Sequence, residues 1–174
     1  YELLNHFASQ HGLRLAMVVR DEPEEMHQAL LDGYGDVIAA SLTRTEERVE
    51  KGWVFSRRYL EVTEQLLGPQ SEPMMTAVEQ LAGKTVAVNP QHSFMTTLLA
   101  LQEEDVPVSI LPVSGRTTEM LAEGLVQGEY DYVMADSHMA LLETTLRDDV
   151  QVVLDLGREQ EIGWVVRDDQ DALR

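Results

Sequence analysis

Ala29-Leu30-Leu31-Asp32-Gly33-Tyr34-Gly35-Asp36-Val37-Ile38-Ala39-Ala40-Ser41 is answered 95 residues later by Gly124-Leu125-Val126-Gln127-Gly128-Glu129-Tyr130-Asp131-Tyr132-Val133-Met134-Ala135-Asp136. Each stretch reads as a helix end, a Gly-x-x-Asp turn, a short apolar strand and a small polar residue. A strand apolar on every position is covered on both faces, which is the signature of an α/β sheet with helices packed on it. In open sheets of this kind ligands gather at the carboxyl ends of the strands. Ser41 and Asp136 occupy comparable strand ends, which points to two related lobes with a cleft between them. The order helix, glycine, strand is also common α/β grammar, so the repeat alone leaves coincidence open.

The same alternation extends outward. Leu3, Leu4, Phe7 and Ala8 recur at helical spacing before Gly12, predicting a helix over residues 1 to 11. Residues 13 to 19 (LRLAMVV) alternate and then run apolar as a half-buried strand does, and residues 23 to 31 form a helix with Pro23 in its first turn. A strand follows over 36 to 40. Further on, the pattern predicts a strand (KTVAV) opened by a Gly83 turn and a helix over 94 to 103. A strand over 108 to 113 and a helix over 117 to 126 come next, then a strand over 131 to 135, a helix over 137 to 146 and a strand over 150 to 154. Short links between them favour parallel strands. Gly68-Pro69-Gln70-Ser71-Glu72-Pro73 is the strongest turn and linker composition in the chain. The crossing between lobes is therefore placed just before it: residues 1–67 plus 161–174 in lobe one and 68–160 in lobe two, each with its own sheet.

The chain has 174 residues, 44% of them hydrophobic and 25% charged, which suits one medium globular unit or two small lobes and excludes disorder. Thirteen Lys and Arg against 31 Asp and Glu leave a formal net charge of −18, which repels phosphate backbones and anionic membrane surfaces. A nucleic-acid partner is thereby rejected. The absence of cysteine removes thiol catalysis, disulfides and Cys-ligated zinc. No stretch reaches the ~18 apolar residues that span a bilayer. Tyr1 reads as starting inside a helix, and residues 168 to 174 read as a helix start, so the sequence predicts a piece of a longer protein.

Several motifs fail on inspection. Gly83-Lys84-Thr85 imitates the end of a phosphate-binding loop, but the first glycine of that loop would fall at Val78. Ser93 beside His92 lacks a Gly-x-Ser-x-Gly elbow, so no nucleophile is read there. His6 and His11 stand about 140° apart on a helix and are poorly placed to share a metal. Carboxylates are too numerous for any pair to single itself out for glycoside hydrolysis. Met17, Met95, Met120, Met134 and Trp164 read as core filling. No catalytic residue, cofactor or metal is assigned.

More informative is Ser41-Leu42-Thr43-Arg44-Thr45-Glu46-Glu47-Arg48, where a strand ends in hydroxyl residues and Thr45 caps a helix whose first turn carries two acids. An Arg near a strand end can fork onto a carboxylate with two charge-assisted hydrogen bonds, and Ser41 and Thr43 add polar contacts. Read from residues alone, Arg48 equally serves to offset its glutamate neighbours.

These pieces, in order, resemble the family-3 extracellular solute-binding domains: YELLNHFASQHGLRL, LLDGYGDVIAASLTRTEER with Phe55-Ser56 and Tyr59, LAGKTVAV, and GLVQGEYDYVMADS. VNPQHSF and YVMADS are most similar to the regulatory domains fused to peptidoglycan-cleaving lytic transglycosylases. The resemblance implies a type II periplasmic-binding-protein fold, two α/β lobes closing on an amino acid or small cell-wall peptide, with the first strand and the last helices outside this stretch. It implies that Arg48 takes the ligand carboxylate with Thr43 and Ser41 beside it. Asp136 takes the ammonium, and His92 and Ser93 line the loop at a helix start. The pair usual in that loop is altered here to Gln91-His92-Ser93-Phe94. It implies a non-catalytic sensor domain, periplasmic and outer-membrane associated only through other parts of the full protein. Its partners would be a small-molecule ligand and a fused or associated peptidoglycan-cleaving domain. The alternatives are the binding component of an amino-acid ABC transporter and an enzyme of the same fold resembling cyclohexadienyl dehydratase.

Overall fold

The computed structural model describes residues 1–169, and the chain divides into two compact units. The first comprises Tyr1–Tyr59 and the described residues from Ile162 onward; the second is Leu60–Glu161. Residues 60 to 67, which the linker composition assigns to lobe one, belong to the second unit. They form a strand whose last residues are Gly68 and Pro69, so the Gly/Pro signal marks that strand's far end. The expected helix start at 168 to 174 lies largely outside the described residues.

In the first unit α1 (Glu2–Gln10) ends at Gly12, whose φ of 65° is easy only for glycine. Then come α2 (Pro23–Leu31), β1 (Val37–Thr43), α3 (Glu46–Glu50) and β2 (Val54–Phe55). Both strands pair antiparallel with the last residues of a long strand, β7 (Val150–Val166). Leu30, Ile38, Leu42, Trp53 and Val165 make the core. Residues 13 to 19 depart from expectation: they form no strand, and Leu13, Met17, Val18 and Val19 are exposed. An alternating pattern supplies one apolar face, but a strand exists only where a neighbouring edge accepts its hydrogen bonds. Met17 is therefore a surface residue; Met120, on a helix of the second unit, is exposed as well, whereas Met134 is buried as expected.

The second unit contains β3 (Leu60–Pro69), β4 (Thr85–Val88), α4 (Phe94–Glu103), β5 (Ser109–Pro112), α5 (Thr118–Val126), β6 (Tyr132–Asp136), α6 (Ser137–Leu146) and the first part of β7. A 3₁₀ turn at Val78–Leu81 precedes β4. The strand order is β7-β3-β6-β4-β5. β4 runs parallel to both β5 and β6, but β3 is antiparallel to β6, so the sheet is mixed where the short links predicted a parallel one. The antiparallel member is β3, which the sequence reading left without an element. β7 is also longer than expected, and its residues are shared between the two units.

Two apolar layers sandwich this sheet. On one face Leu66, Val86, Val88, Tyr132 and Met134 pack with Phe94 and Leu98 of α4. On the other Leu67, Ala87, Val133 and Ala135 pack with Leu121 and Leu125 of α5 and Ala140 of α6. Period-two alternation decides which residue meets which layer.

Candidate functional site

The repeat quoted above appears once in each unit, with its helix ends, glycine turns and strand starts in the same places. Gly33 and Gly128 follow the C-caps of α2 and α5 with φ of 78° and 76°, and β1 and β6 begin at Val37 and Tyr132, again 95 residues apart. The strands then differ. β1 carries a register irregularity between Ile38 and Leu42, within which Ser41 adopts a φ of 53°, a left-handed conformation costly for a non-glycine residue. β6 has no such break.

Ser41, Thr43 and Arg48 are held by this local geometry. Thr45 caps α3 by accepting the Arg48 backbone N–H at 3.2 Å, the expected cap. The Arg48 side chain folds back over the strand end: Nη1 donates to the Thr43 carbonyl at 2.7 Å, and the guanidinium lies 5.3 Å from the Trp53 ring centroid. Trp53 is stacked from its other neighbour His27 at 4.3 Å, and burial lowers the His27 pKa, a shift that Glu24 partly opposes. Arg48 and Thr43 are 9% and 4% exposed, whereas Ser41 is exposed. Arg48 is thus a buried cation with a fixed plane. Of its glutamate neighbours, Glu47 is engaged by Lys51 at 2.6 Å.

In the second unit His92, Ser93 and Asp136 share one end of the sheet. β4 and β6 are parallel neighbours, with Val86 opposite Tyr132 and Ala87 opposite Val133, so the residues following both strands emerge at the same edge. After β4 the chain turns at Asn89, whose Oδ1 accepts the Gln91 N–H at 3.1 Å and whose carbonyl accepts the His92 N–H at 3.0 Å. The turn delivers Ser93 to the N-cap of α4, with the His92 ring 5.7 Å from that of Phe94. After β6, Asp136 occupies the N-cap of α6 and is 8% exposed. Helix starts with a nearby hydroxyl present backbone N–H groups to an anion, and the Asp136 carboxylate adds the complementary charge.

A residue absent from the sequence reading joins them. Glu64 of β3 stands directly opposite Asp136 in the β3/β6 ladder and is 0% exposed. Its Oε2 accepts the Thr97 hydroxyl of α4 at 2.7 Å. Burial raises its pKa, against the lowering effects of that hydrogen bond and of the Arg158 charge. The signal was present: in Leu60-Glu61-Val62-Thr63-Glu64-Gln65-Leu66, Glu64 shares the inward parity of Val62 and Leu66.

Mixed α/β structure with an open sheet matches the type II periplasmic-binding-protein fold. The profile of the bacterial extracellular solute-binding proteins, family 3, matches residues 1–174, and the chain belongs to that family. Its sequence is 32% identical over 174 residues to a membrane-bound lytic murein transglycosylase F of Desulfosudis oleivorans, covering 100% of this chain and 38% of that protein. The counterpart from Klebsiella pneumoniae is 30% identical over 175 residues, covering 99% and 34%. The chain therefore spans just over a third of the length of these relatives. Among solved structures, an ancestral arginine-binding protein bound to arginine superposes with a TM-score of 0.82 at 23% identity, over 99% of this chain and 75% of that one. The glutamate-bound GluR0 ligand-binding core of Nostoc punctiforme gives 0.79 at 21%, over 99% and 77%. Both superpositions establish the fold.

Proposed function

We propose that this domain binds a small zwitterion, an amino acid or a short cell-wall peptide, and acts as the non-catalytic sensor of a periplasmic, peptidoglycan-cleaving lytic transglycosylase. Arg48, flanked by Thr43 and Ser41, receives the ligand carboxylate; Asp136 receives the ammonium; His92 and Ser93 line the loop at the start of α4. The observation that carries this reading is the fixing of Arg48. A guanidinium held in plane by the Thr43 carbonyl and the Trp53 ring is pre-organised for a two-point contact, and little conformational entropy is lost on binding. The curated relatives, named as lytic murein transglycosylases, support the sensor role. The arginine and glutamate bound by the proteins of similar fold support an amino-acid-like ligand.

A thermal-shift screen of free amino acids and muropeptide fragments tests the reading, since a ligand raises apparent stability by mass action. Arg48→Ala is expected to weaken the best hit by roughly 2–4 kcal/mol, with Arg48→Lys rescuing little because an ammonium lacks the planar fork. Unchanged affinity in both variants, measured by calorimetry, would sink the assignment. Because the family profile covers the whole chain, a free-standing binding component of an amino-acid ABC transporter is the second reading. The sequence of the full-length protein separates the two.

A further inference from the structure

Arg48 owes its place first to a local motif. At the end of α3 the Gly52 N–H donates to the Val49 carbonyl and the Trp53 N–H to the Arg48 carbonyl, both at 3.0 Å, with Gly52 at a φ of 87°. This is a Schellman closure, in which the residue after the glycine comes to lie beside a residue of the preceding helical turn. Those two residues are Trp53 and Arg48, and their contact is the guanidinium 5.3 Å from the indole centroid. The motif fixes the two backbones. It leaves open the plane of the indole, on which the plane of the guanidinium depends.

His27 supplies that plane from a different element. It lies on α2 three residues before Leu30, which is buried in the same core cluster as Trp53. Its ring lies on the indole at 4.3 Å with 20° between the planes, a stack against a residue only 4% exposed. The Phe55 ring, 6.5 Å from the indole at 18°, continues the series of nearly parallel planes. The stack and the charge of Glu24 are the engagements of the His27 side chain among the described residues. Burial lowers its pKa against the opposing Glu24 charge, so the ring stacks uncharged at neutral pH. A half-buried imidazole without a hydrogen bond is poorer filling than leucine, so the property used at this place is its aromatic face.

We infer that His27 is a positioning residue of the carboxylate subsite: its ring sets the plane of Trp53, Trp53 sets the plane of the Arg48 guanidinium, and that plane decides the direction from which a carboxylate is accepted. The inference rests on the assignment of Arg48 above and adds to it the residue that gives the fork its direction. A carboxylate takes two parallel N–H···O bonds only when it approaches along the guanidinium plane. Tilting the indole leaves the charge of Arg48 in place and removes this two-point geometry.

The test begins without any ligand, on the whole chain. His27→Leu keeps bulk and removes the aromatic face, whereas His27→Phe keeps the face. The Arg48 Nε–Hε signal in a nitrogen-15 NMR spectrum, assigned by its loss in Arg48→Lys, is displaced by the ring current of Trp53. His27→Leu is expected to shift it and His27→Phe to leave it near the wild-type position; a signal unmoved by His27→Leu overturns the inference. His27→Gln, polar and non-aromatic, should repeat the leucine result, so a folding failure of one variant leaves the other to decide. Calorimetry with L-arginine and with L-argininamide, which lacks the carboxylate, then reads the subsite. The preference for the acid should fall about threefold or more in His27→Leu and be kept in His27→Phe. An equal loss for both probes, or an unchanged preference in His27→Leu, overturns the positioning role. If L-arginine fails to bind wild type, the functional reading fails for that probe, while the spectra still decide whether His27 sets the plane of Arg48.

Discussion

Asp155 and Glu64 sit in the same unit and have opposite relations to pH. Asp155 lies near the surface, where the upward push of burial is outweighed by hydrogen bonds from Gln65 at 2.8 Å, the Gly157 N–H at 2.8 Å and Thr63 at 3.1 Å, so its pKa is lowered. Its contribution to stability is present above its unfolded pKa and is lost as pH falls through the lower folded value. Burial raises the Glu64 pKa, so the stability tied to its proton is complete below the ordinary glutamate value and is lost as pH rises through the raised one. Thermal melts from pH 4 to pH 8 should therefore show wild type losing ground to Glu64→Gln as pH increases, and parallel curves would contradict this. Gly68 illustrates a constraint of space alone: a Cβ there would stand 2.8 Å from Val153 Cγ1 and 3.1 Å from the Tyr132 ring. Gly68→Ala should cost about 1–3 kcal/mol in denaturant melts, since both neighbours are fully buried and have nowhere to move.

Elements in this chain are set by their ends. Thr117 accepts the Met120 N–H at 3.3 Å and starts α5; Gly128 closes it in the left-handed region. Thr117→Ala should therefore destabilise the protein by about 1 kcal/mol, with little change in the slope of a urea melt, and Thr45→Ala should act likewise on α3. These signals are local, and most helices of the described residues fall where the sequence put them: α2, α4, α5 and α6 match the expected spans. Strands were less legible because their existence depends on a partner. Residues 13 to 19 have the pattern without an edge to pair with. β3 carries polar residues at Thr63, Glu64 and Gln65 in mid-strand and pairs nonetheless, because β6 and β7 flank it.

At the scale of the molecule the two units differ in the size of their cores. Five buried apolar residues form the cluster of the first unit, while the second has two larger clusters, one on each face of its sheet. Burial is the main source of stability, so hydrogen exchange should be faster in β1 than in β4 and β6, with residues 13 to 19 fastest of all. Equal protection across β1 and β6 would contradict the ranking. The net charge of −18 should also make the melting temperature rise with added salt, as screening relieves repulsion. By itself the sequence determined the α/β class, the helix spans, the Gly33 and Gly128 turns, and the strand end bearing Asp136, because caps, glycine conformations and apolar runs act within a few residues; β1 runs on past the expected end to Thr43, leaving Ser41 inside it. Only the tertiary structure decided that β3 runs antiparallel to β6, that the first unit ends at Tyr59, that Arg48 lies against Trp53, and that Glu64 faces Asp136. Each of these depends on hydrogen bonding or packing between segments distant in sequence or on the set of a side chain, and no local pattern encodes which partner a strand edge or a buried side chain will meet.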